Sequence, residues 1–398
     1  MNERISSLKK MFCETYGGNG KDLRVFTAPG RVNLIGEHID YSGGYVFPAA
    51  ITFDTTVILR KHNDRMLRLS ASDLPDRIEI SLDSLNEGRK LKWGIYQLGV
   101  ADELQKAGYR LVGADMLFDT TVPFASGLSS SASMQIATAI SLVTAGNEEN
   151  DCNKDMDMIN LAVISQRSEN NYCGVSCGIM DQFASAMGKK DHAILLDCGT
   201  LNYKHVPLYL DGCRIVLANT KKKRALSESK YNERTREVAQ GFDILKQSIP
   251  GRKNLCDFTP DEYERIKDTI KDPIIRKRVE HSIYENSRVL KSYKALAENN
   301  LTAFGRLLEE ANASIRDLYE VTGFELDTMV EEALKIDGVI GARMTGAGFG
   351  GCTVNIIRTE AVNEFIGCVG ENYTKKTGIK PEFYVTDIGD GAREIKEG

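Results

Sequence analysis

The chain has 398 residues and a formal net charge of −5, a length that suggests two or three domains of about 100–200 residues each. Hydrophobic residues make up 42% and charged residues 27% of the sequence, the proportions of a globular protein with enough apolar side chains to fill its cores. A nucleic-acid-binding protein would carry a strongly basic face, which this composition does not indicate. An anionic substrate is compatible with the charge, because a local cluster of Lys and Arg can outweigh the global sign.

The sequence carries no signal for a membrane or an export pathway. The first ten residues are charged rather than apolar, unlike a signal peptide, and no run reaches the roughly 18 apolar residues of a membrane span. The nine cysteines are scattered and odd in number, which favours a reducing compartment. Cys173 and Cys177 have no second pair at zinc spacing. We therefore expect a cytoplasmic protein without a membrane partner or a zinc site.

Strand and helix patterns alternate through the first half of the chain. Strands are predicted where β-branched and apolar residues cluster, at 25–27, 55–59, 114–118 and 193–197. Helices are predicted where apolar residues recur at helical spacing, over 91–104 and from Ser131 onward. After about residue 205 the sequence pattern changes, and helices rich in charged residues are predicted at 231–313 and 325–335. Strands are predicted after them at 352–357 and 385–388. This change predicts a domain boundary near residue 205.

The first informative motif lies between Ala28 and Ala50. It places Arg31, Glu37, His38 and Asp40 among the glycines Gly30, Gly36, Gly43 and Gly44. Carboxylates and an imidazole exchange hydrogen bonds with hydroxyl groups, and glycines let the backbone approach closely. The pattern suits the wall of a site for a small polyhydroxylated ligand.

The second motif is the Gly/Ser segment 122–133, between a predicted strand and a predicted helix. Free backbone N–H groups and the positive end of a helix bind anions, and serine hydroxyls can bond phosphate oxygens or ligate Mg²⁺. A Ser-rich helix cap is the alternative interpretation of this segment taken alone.

Two common phosphate motifs do not apply. The chain has no G-x-x-x-x-G-K-[ST] segment, so a Walker P-loop is not indicated. Gly346–Gly351 matches G-x-G-x-x-G, but it precedes the predicted strand 352–357 instead of opening a helix. The dinucleotide fold requires the order strand, glycines, helix. We interpret this segment as a tight glycine turn.

A third cluster spans residues 169–183. Asp181 stands among Ile179, Met180 and Phe183, where a buried carboxylate is costly unless it is paired or used in chemistry. On local evidence Asp181 is a functional carboxylate, a helix cap or half of a structural ion pair, and Glu169 is a solvated helix residue.

Several segments together resemble a known kinase family. Segments 28–50, 122–133 and 343–352 resemble, in this order, the three motifs of the superfamily that contains galactokinases and homoserine, mevalonate and phosphomevalonate kinases. Segment 177–182 is similar to the galactokinase catalytic segment, and 226–234 to its tyrosine segment. The 28–50 block is typical of galactokinases rather than of the wider superfamily.

The resemblance implies an α/β (α+β) fold of two domains with the active site in the cleft between them. Residues 1–205 would form the sugar- and nucleotide-binding domain, rejoined by 376–398, with an unusual left-handed β-α-β crossover. Residues 206–375 would form a ferredoxin-like α+β domain. A monomer is expected.

The resemblance also implies the activity, which is ATP-dependent phosphorylation of α-D-galactose at the C1 hydroxyl, giving galactose 1-phosphate and ADP. The catalytic pair beside that hydroxyl would be Arg31 and Asp181. The other sugar hydroxyls would be bound by Glu37, His38, Asp40, Gly178 and Tyr231. Mg²⁺ would be held by Ser131 and Glu169, and Lys223 falls at a basic position of the family.

The ATP-binding residues follow from the same resemblance. They would be Ser126, Gly127, Leu128, Ser129, Ser130, Ser131, Ala132 and Ser133 around the triphosphate, with Trp93 and Tyr96 as candidates for the adenine pocket. An aromatic pair packed in the core is the alternative for Trp93 and Tyr96.

The sequence departs from the family pattern at two places, and these bear on specificity. Ala125 replaces the first glycine of the phosphate loop, and Ala311-Asn312 replaces a Ser-His pair. The alternatives are therefore another sugar-1-kinase of the same fold, for N-acetylgalactosamine or arabinose, and a non-catalytic sugar sensor. The intact segment 127–132 argues against the sensor, and the residues 37–40 argue against a mevalonate-type kinase.

Overall fold

The computed structural model describes residues 2–91, 93–124, 126–150, 156–210, 212–222 and 227–396. Ala125 and Lys223 lie outside the described residues, so the structure gives no account of the departure at Ala125 or of the expected basic position.

The described residues contain thirteen strands and eleven α-helices. The strands are β1 (Arg24–Asn33), β2 (Tyr45–Val46), β3 (Pro48–His62), β4 (Met66–Ala71), β5 (Leu74–Ser81), β6 (Gly113–Thr120), β7 (His192–Asp197), β8 (Tyr203–Pro207), β9 (Cys213–Asn219), β10 (Val339–Thr345), β11 (Cys352–Arg358), β12 (Glu382–Thr386) and β13 (Arg393–Glu394). The helices are α1 (Asn2–Tyr16), α2 (Ile95–Lys106), α3 (Ser130–Glu149), α4 (Met158–Ser168), α5 (Met180–Met187), α6 (Ser227–Ser248), α7 (Pro260–Ile266), α8 (Pro273–Ala297), α9 (Leu301–Ser314), α10 (Phe324–Ala333) and α11 (Val362–Thr377). Two π-helical turns, Glu169–Cys173 and Ile315–Tyr319, continue α4 and α9.

The strands form three sheets, which makes the fold a mixture of helices packed on predominantly antiparallel sheets. The largest sheet has six strands in the order β13-β1-β3-β6-β4-β5, in which β4 and β6 run parallel. A four-stranded sheet follows the order β10-β11-β9-β12, and a three-stranded one the order β2-β7-β8. The predicted α/β (α+β) class is confirmed. The handedness of the crossover between β4 and β6 stays a prediction.

The main hydrophobic core lies against the six-stranded sheet. Strand β1 is buried along almost its whole length, because α3 and α5 pack against it and β3 pairs with it. Helix α3 has buried residues on most of its turns, as expected for a helix enclosed by other elements. This packing fixes the segment that precedes α3 against the end of β1.

The predicted strands at 25–27, 55–59, 114–118 and 193–197 are confirmed as parts of β1, β3, β6 and β7. Helix α2 begins at Ile95 rather than at residue 91. The physical reason is Gly94, whose φ of 81° lies in the left-handed region, which glycine adopts without steric cost and which interrupts a helix. Helix α3 begins one residue before the predicted Ser131.

The last strands connect two sheets. Strand β12 pairs with β9 in the four-stranded sheet, whereas β13 pairs with β1 in the six-stranded sheet. The domain limits 1–205, 206–375 and 376–398 stay predictions. Among the helices of the described residues, none is both long and apolar enough to cross a bilayer.

Helix α9 and strand β10 pack so closely that a glycine is required between them. A Cβ atom at Gly305 would lie 1.9 Å from the backbone oxygen of Ile340. We expect Gly305→Ala to lower the free energy of unfolding by about 1–3 kcal/mol, because overpacking must displace backbone. Urea denaturation measures the change. Gly367→Ala in the exposed face of α11, where nothing lies within 4 Å of the added Cβ, is the control and should stabilise by about 0.5–1 kcal/mol. Equal stability of the two variants would contradict this account of the α9–β10 contact.

Candidate active site

An open cleft of about 260 Å³ brings the sequence motifs together. Its walls come from the 28–50 block, the segment 122–133, the segment 169–183, helix α6 and the glycine turn 346–351. The predicted site residues that line it are Arg31, Glu37, His38, Asp40, Tyr96, Gly127, Ser129, Ser130, Ser131, Glu169, Gly178, Asp181 and Tyr231.

Arg31 and Asp181 form an ion pair in this cleft. The Nε and Nη2 atoms of Arg31 each lie 2.8 Å from Oδ1 of Asp181. The register of β1 shifts between Pro29 and Arg31, and such a bulge re-aims the following side chain. The Arg31 side chain is 4% exposed and that of Asp181 is 32% exposed. Asp181 is therefore one half of an ion pair, which is one of the interpretations that its local sequence allowed. Its exposed fraction leaves it accessible to a ligand.

The phosphate-loop candidate is bonded directly to this pair. Arg31 donates its backbone N–H to Leu128 O at 3.1 Å and its Nη1 to Gly127 O at 2.7 Å. Ser129 Oγ donates to Oδ2 of Asp181 at 2.5 Å. A Cβ atom at Gly30 would lie 2.6 Å from Leu128 O, so only glycine permits this approach without displacement. Three consecutive loop residues are thus fixed to one ion pair.

Glu37 is buried and is held by the glycine turn from the other half of the chain. Its Oε1 accepts from Gly346 N–H at 2.8 Å and from Thr345 Oγ1 at 3.1 Å. The fully buried Arg343 places Nη2 3.4 Å from the same oxygen. These contacts at Oε1 set the position of the side chain. The second oxygen, Oε2, can accept a hydrogen bond from a ligand.

His38 is neutral and its ring has a fixed tautomer. Burial lowers the pKa of His38 to about 3, so the ring carries one proton. Nε2 lies 3.2 Å from Ala347 O, which only accepts, so this nitrogen is the donor. Nδ1 therefore accepts from Tyr41 OH at 3.0 Å, and Tyr319 OH, at 2.6 Å from Tyr41 OH, donates to Tyr41. Both ring nitrogens are engaged within the protein.

Asp40, Gly178 and Tyr231 line the cleft beside Glu37 and His38. A Cβ atom at Gly178 would lie 2.0 Å from Oδ2 of Asp40, so the absence of a side chain there is required by the carboxylate. Burial, and next the negative charge of Asp181, raise the pKa of Asp40 to about 7. The Tyr231 ring lies 5.4 Å from the His38 ring, which packs it against residues 28–50 (the sugar block, after the ligand that the resemblance implies).

Glu169 and Ser131 meet at the opposite end of the cleft. Glu169 begins the π-helical turn after α4 and is buried, not the solvated residue that its local sequence suggests. It hydrogen bonds to Ser131 and accepts from Gln182 Nε2 at 2.7 Å. Burial, and next the charge of Asp181, raise its pKa to about 7. A surplus of negative charge is therefore present here.

Five predicted ATP-binding residues do not line this cleft. Ser133 is buried and donates to Ala28 O at 2.9 Å, Ser126 is buried and donates to Pro123 O at 2.6 Å, and Trp93 is half-buried against the main core. Leu128 and Ala132 are buried core residues. Tyr96 therefore lines the cleft, whereas Trp93 packs against the main core.

The sequence did not single out five residues that contact the site residues from within the protein. These are Tyr41, Tyr319, Gln182, Thr345 and Arg343. A signal existed for four of them, because the segments 28–50, 177–182 and 343–352 contain Tyr41, Gln182, Arg343 and Thr345. Tyr319 carried no signal, because it lies 278 positions from Tyr41.

Comparisons with known proteins identify the family of the chain. Family models match as the galactokinase galactose-binding signature at residues 10–61, the GHMP kinases N terminal domain at 95–189 and the GHMP kinases C terminal domain at 292–375. A structure of Methanococcus jannaschii mevalonate kinase, 18% identical, superposes with a TM-score of 0.65 and covers 92% of this chain and 98% of its own. The fold and the cleft thus define a small-molecule kinase of the GHMP class.

Closer relatives specify the family. The galactokinase of Clostridium tetani is 45% identical over 394 residues, covering 99% of this chain and 98% of that protein. The galactokinase of Clostridium acetobutylicum is 48% identical over 375 residues, covering 93% and 94%. Lactococcus lactis galactokinase complexed with galactose is 41% identical, covers 98% and 100%, and superposes with a TM-score of 0.93. The chain belongs to the galactokinase family.

The raised pKa values of Asp40 and Glu169 predict a pH dependence of stability. Both pKa values, about 7 in the folded protein, exceed the usual carboxyl values of about 4. The folded state therefore holds protons that the unfolded state releases. The contribution of these protons to the free energy of unfolding is fully present below about pH 4 and is lost as pH rises through about 7. We expect the free energy of unfolding of Glu169→Gln to fall less than that of the wild type as the pH is raised from 5 to 8. Urea denaturation at each pH measures this change.

The control for this experiment is Glu309→Gln, at an exposed position of α9. Its stability should follow the wild-type pH dependence, since the other titrating groups are unchanged. A Glu169→Gln curve parallel to that of the wild type contradicts the raised pKa of Glu169.

Proposed function

We propose that this protein transfers the terminal phosphoryl group of ATP to the C1 hydroxyl of α-D-galactose, giving galactose 1-phosphate and ADP. The observation that carries the proposal is the position of the Arg31–Asp181 pair, which lies between the carboxylates of the sugar block and the Ser-rich loop. Phosphoryl transfer depends mainly on positioning and on charge stabilisation, and this cleft supplies groups for both.

The sugar-side wall offers hydrogen-bond acceptors in a fixed arrangement. Glu37 and Asp40 line the cleft together with Gly178 and Tyr231, and their carboxylates would accept hydrogen bonds from ligand hydroxyls. His38 uses both ring nitrogens inside the protein, so we assign its ring to packing and to fixing Tyr231 rather than to a direct hydrogen bond with the sugar. Carboxylate acceptors that are held rigidly favour a ligand with hydroxyl groups at matching positions.

The phosphate side combines a helix N-terminus with serine hydroxyls. Ser130 and Ser131 open α3 and line the cleft, where unpaired backbone N–H groups and the helix dipole favour an anion. Arg31 lies at the boundary between the two sides and would stabilise negative charge on the entering oxygen.

Ser131 and Glu169 fit a magnesium ion that arrives with ATP. One hydroxyl and one carboxylate are a sufficient protein contribution, because Mg²⁺ in kinases is held largely by phosphates and water. No cluster of three or more His, Cys, Asp or Glu side chains suited to a metal occurs in the described parts of the chain, so a tight all-protein metal site is not what this cleft provides. Burial, and next the charge of Asp181, raise the pKa of Glu169, and a cation would offset the negative charge of these two carboxylates. Bound Mg²⁺ would neutralise phosphate charge.

No observation favours a different sugar. Asn312, where the family pattern has histidine, is buried, and its Oδ1 accepts from the backbone N–H of Met344 at 3.1 Å. It does not line the cleft described above. Any effect of Asn312 on sugar binding would be indirect, through its contact with strand β10. A monomeric, cytoplasmic enzyme remains our prediction.

Measurement of ADP release with Mg-ATP tests the proposal. Galactose, N-acetylgalactosamine, arabinose, glucose and mevalonate are each supplied at one concentration. We expect turnover with galactose to exceed that with any other compound by at least about tenfold, because unmatched polar groups in a rigid site are costly. Faster turnover of another sugar would support the same type of reaction and would replace galactose as the proposed substrate. Galactose binding without turnover would support the sensor.

Asp181 is either the base for the C1 hydroxyl or the group that orients it. Asp181→Asn keeps the shape but removes the basic oxygen, and we expect kcat to fall about 10²-fold or more if proton transfer is required. Steady-state kinetics and a melting curve are the measurements. Asp83→Asn, at an exposed carboxylate paired with Arg65, should leave kcat unchanged. Near-normal turnover of folded Asp181→Asn rules out the base role and assigns the residue to orientation.

A further inference from the structure

The hydroxyl group of Ser129 has a partner that a phosphate-binding loop does not require. Ser129 is the N-cap residue of α3, a position where serine ordinarily accepts a hydrogen bond from the first turn of the helix. Its side chain makes no such bond and donates instead to Oδ2 of Asp181 at 2.5 Å. Ser129 has thus exchanged its usual local partner for the catalytic carboxylate.

The backbone of Ser129 supports this arrangement. Its φ of 60° and ψ of 48° lie in the left-handed region, which is unfavourable for a residue with a side chain. The preceding residues explain why it persists, since Gly127 O and Leu128 O accept from Arg31. The loop is anchored on Arg31, and the left-handed turn then directs the Ser129 hydroxyl to the partner of that arginine.

The two oxygens of Asp181 are fixed by different groups. Arg31 occupies Oδ1 through two nitrogens, each at 2.8 Å, and Ser129 occupies Oδ2. A carboxylate held at one oxygen can turn about its Cβ–Cγ bond, since this torsion is soft. Held at both oxygens, it keeps one plane, and its remaining lone pairs point in set directions.

We propose that Ser129 is a positioning residue for Asp181, a role beyond its expected contact with the triphosphate. The inference rests on the proposed function, because it assigns to Ser129 the orientation of the carboxylate that meets the C1 hydroxyl. Ser130 is the natural comparison. It lines the same cleft, and in the described part of the chain it makes no hydrogen bond to Asp181.

The test compares Ser129→Gly with Ser130→Ala. Glycine adopts the left-handed backbone freely, so Ser129→Gly removes the hydroxyl without adding strain. We expect kcat to fall about 10- to 100-fold from misorientation of the carboxylate, with KM for ATP changed less than about threefold. The acid limb of the kcat profile should move to higher pH, because a lost donor disfavours the charged carboxylate. Ser130→Ala should alter KM for ATP and leave the kcat profile in place.

A second variant separates the hydroxyl from the backbone. Ser129→Ala keeps the Cβ and lacks the hydroxyl, so it must show the same loss of kcat and the same pH shift as Ser129→Gly. A loss in only one of them assigns the effect to the backbone and overturns the proposal. An unshifted pH profile in both, with the loss confined to KM for ATP, also overturns it and leaves Ser129 as a phosphate contact only.

A double mutant gives an independent measurement. If Ser129 acts through Asp181, adding Ser129→Gly to Asp181→Asn should cost less than about twofold in residual kcat, because residues that act as a unit are not additive. Full additivity contradicts the inference. Failure of the wild-type protein to phosphorylate galactose refutes the proposed function instead, and is seen before any variant is compared.

Discussion

The ion pair between Arg31 and Asp181 is the contact on which the site depends. It joins the end of β1 to the start of α5, and the backbone oxygens of Gly127 and Leu128 bond to the same arginine. Arg31 is buried, and a buried guanidinium is stable only when its remaining donors are satisfied. The protein supplies those partners from segment 122–133, so the geometry of the ion pair and the shape of this segment are set by the same hydrogen bonds.

A second buried charge network connects the sugar block to the late part of the chain. Arg343 donates to Asn33 O at 3.1 Å and to Leu34 O at 2.9 Å, and it lies beside Glu37. Glu285, also fully buried, accepts from Gly36 N–H at 2.9 Å. Breaking one member of such a network leaves an uncompensated buried charge. The Glu37 carboxylate is therefore oriented by residues that belong to the opposite wall.

The sequence predicted part of the elements and most of the cleft residues, because hydrophobic periodicity, turn chemistry and the motifs are local properties. It could not show that Arg31 and Asp181 bond each other across 150 positions, although both were candidates. The left-handed backbone at His38 and Ser129 had no signal, since neither residue type demands it. Trp93 and Tyr96 stand on either side of Gly94, the residue before helix α2 begins, and their spacing in the sequence did not separate the residue in the cleft from the residue against the core.

The pairing of β1 with β13 has a consequence for biosynthesis. Arg24, in the first strand of the sheet, bonds to Glu394, which lies 370 positions later. While the polypeptide emerges from the ribosome, this edge of β1 stays without its strand partner until the late residues have been made, and unpaired edges invite association with other chains. Early parts of a nascent protein generally fold first. Here one of the first strands to be translated is among the last to be completed.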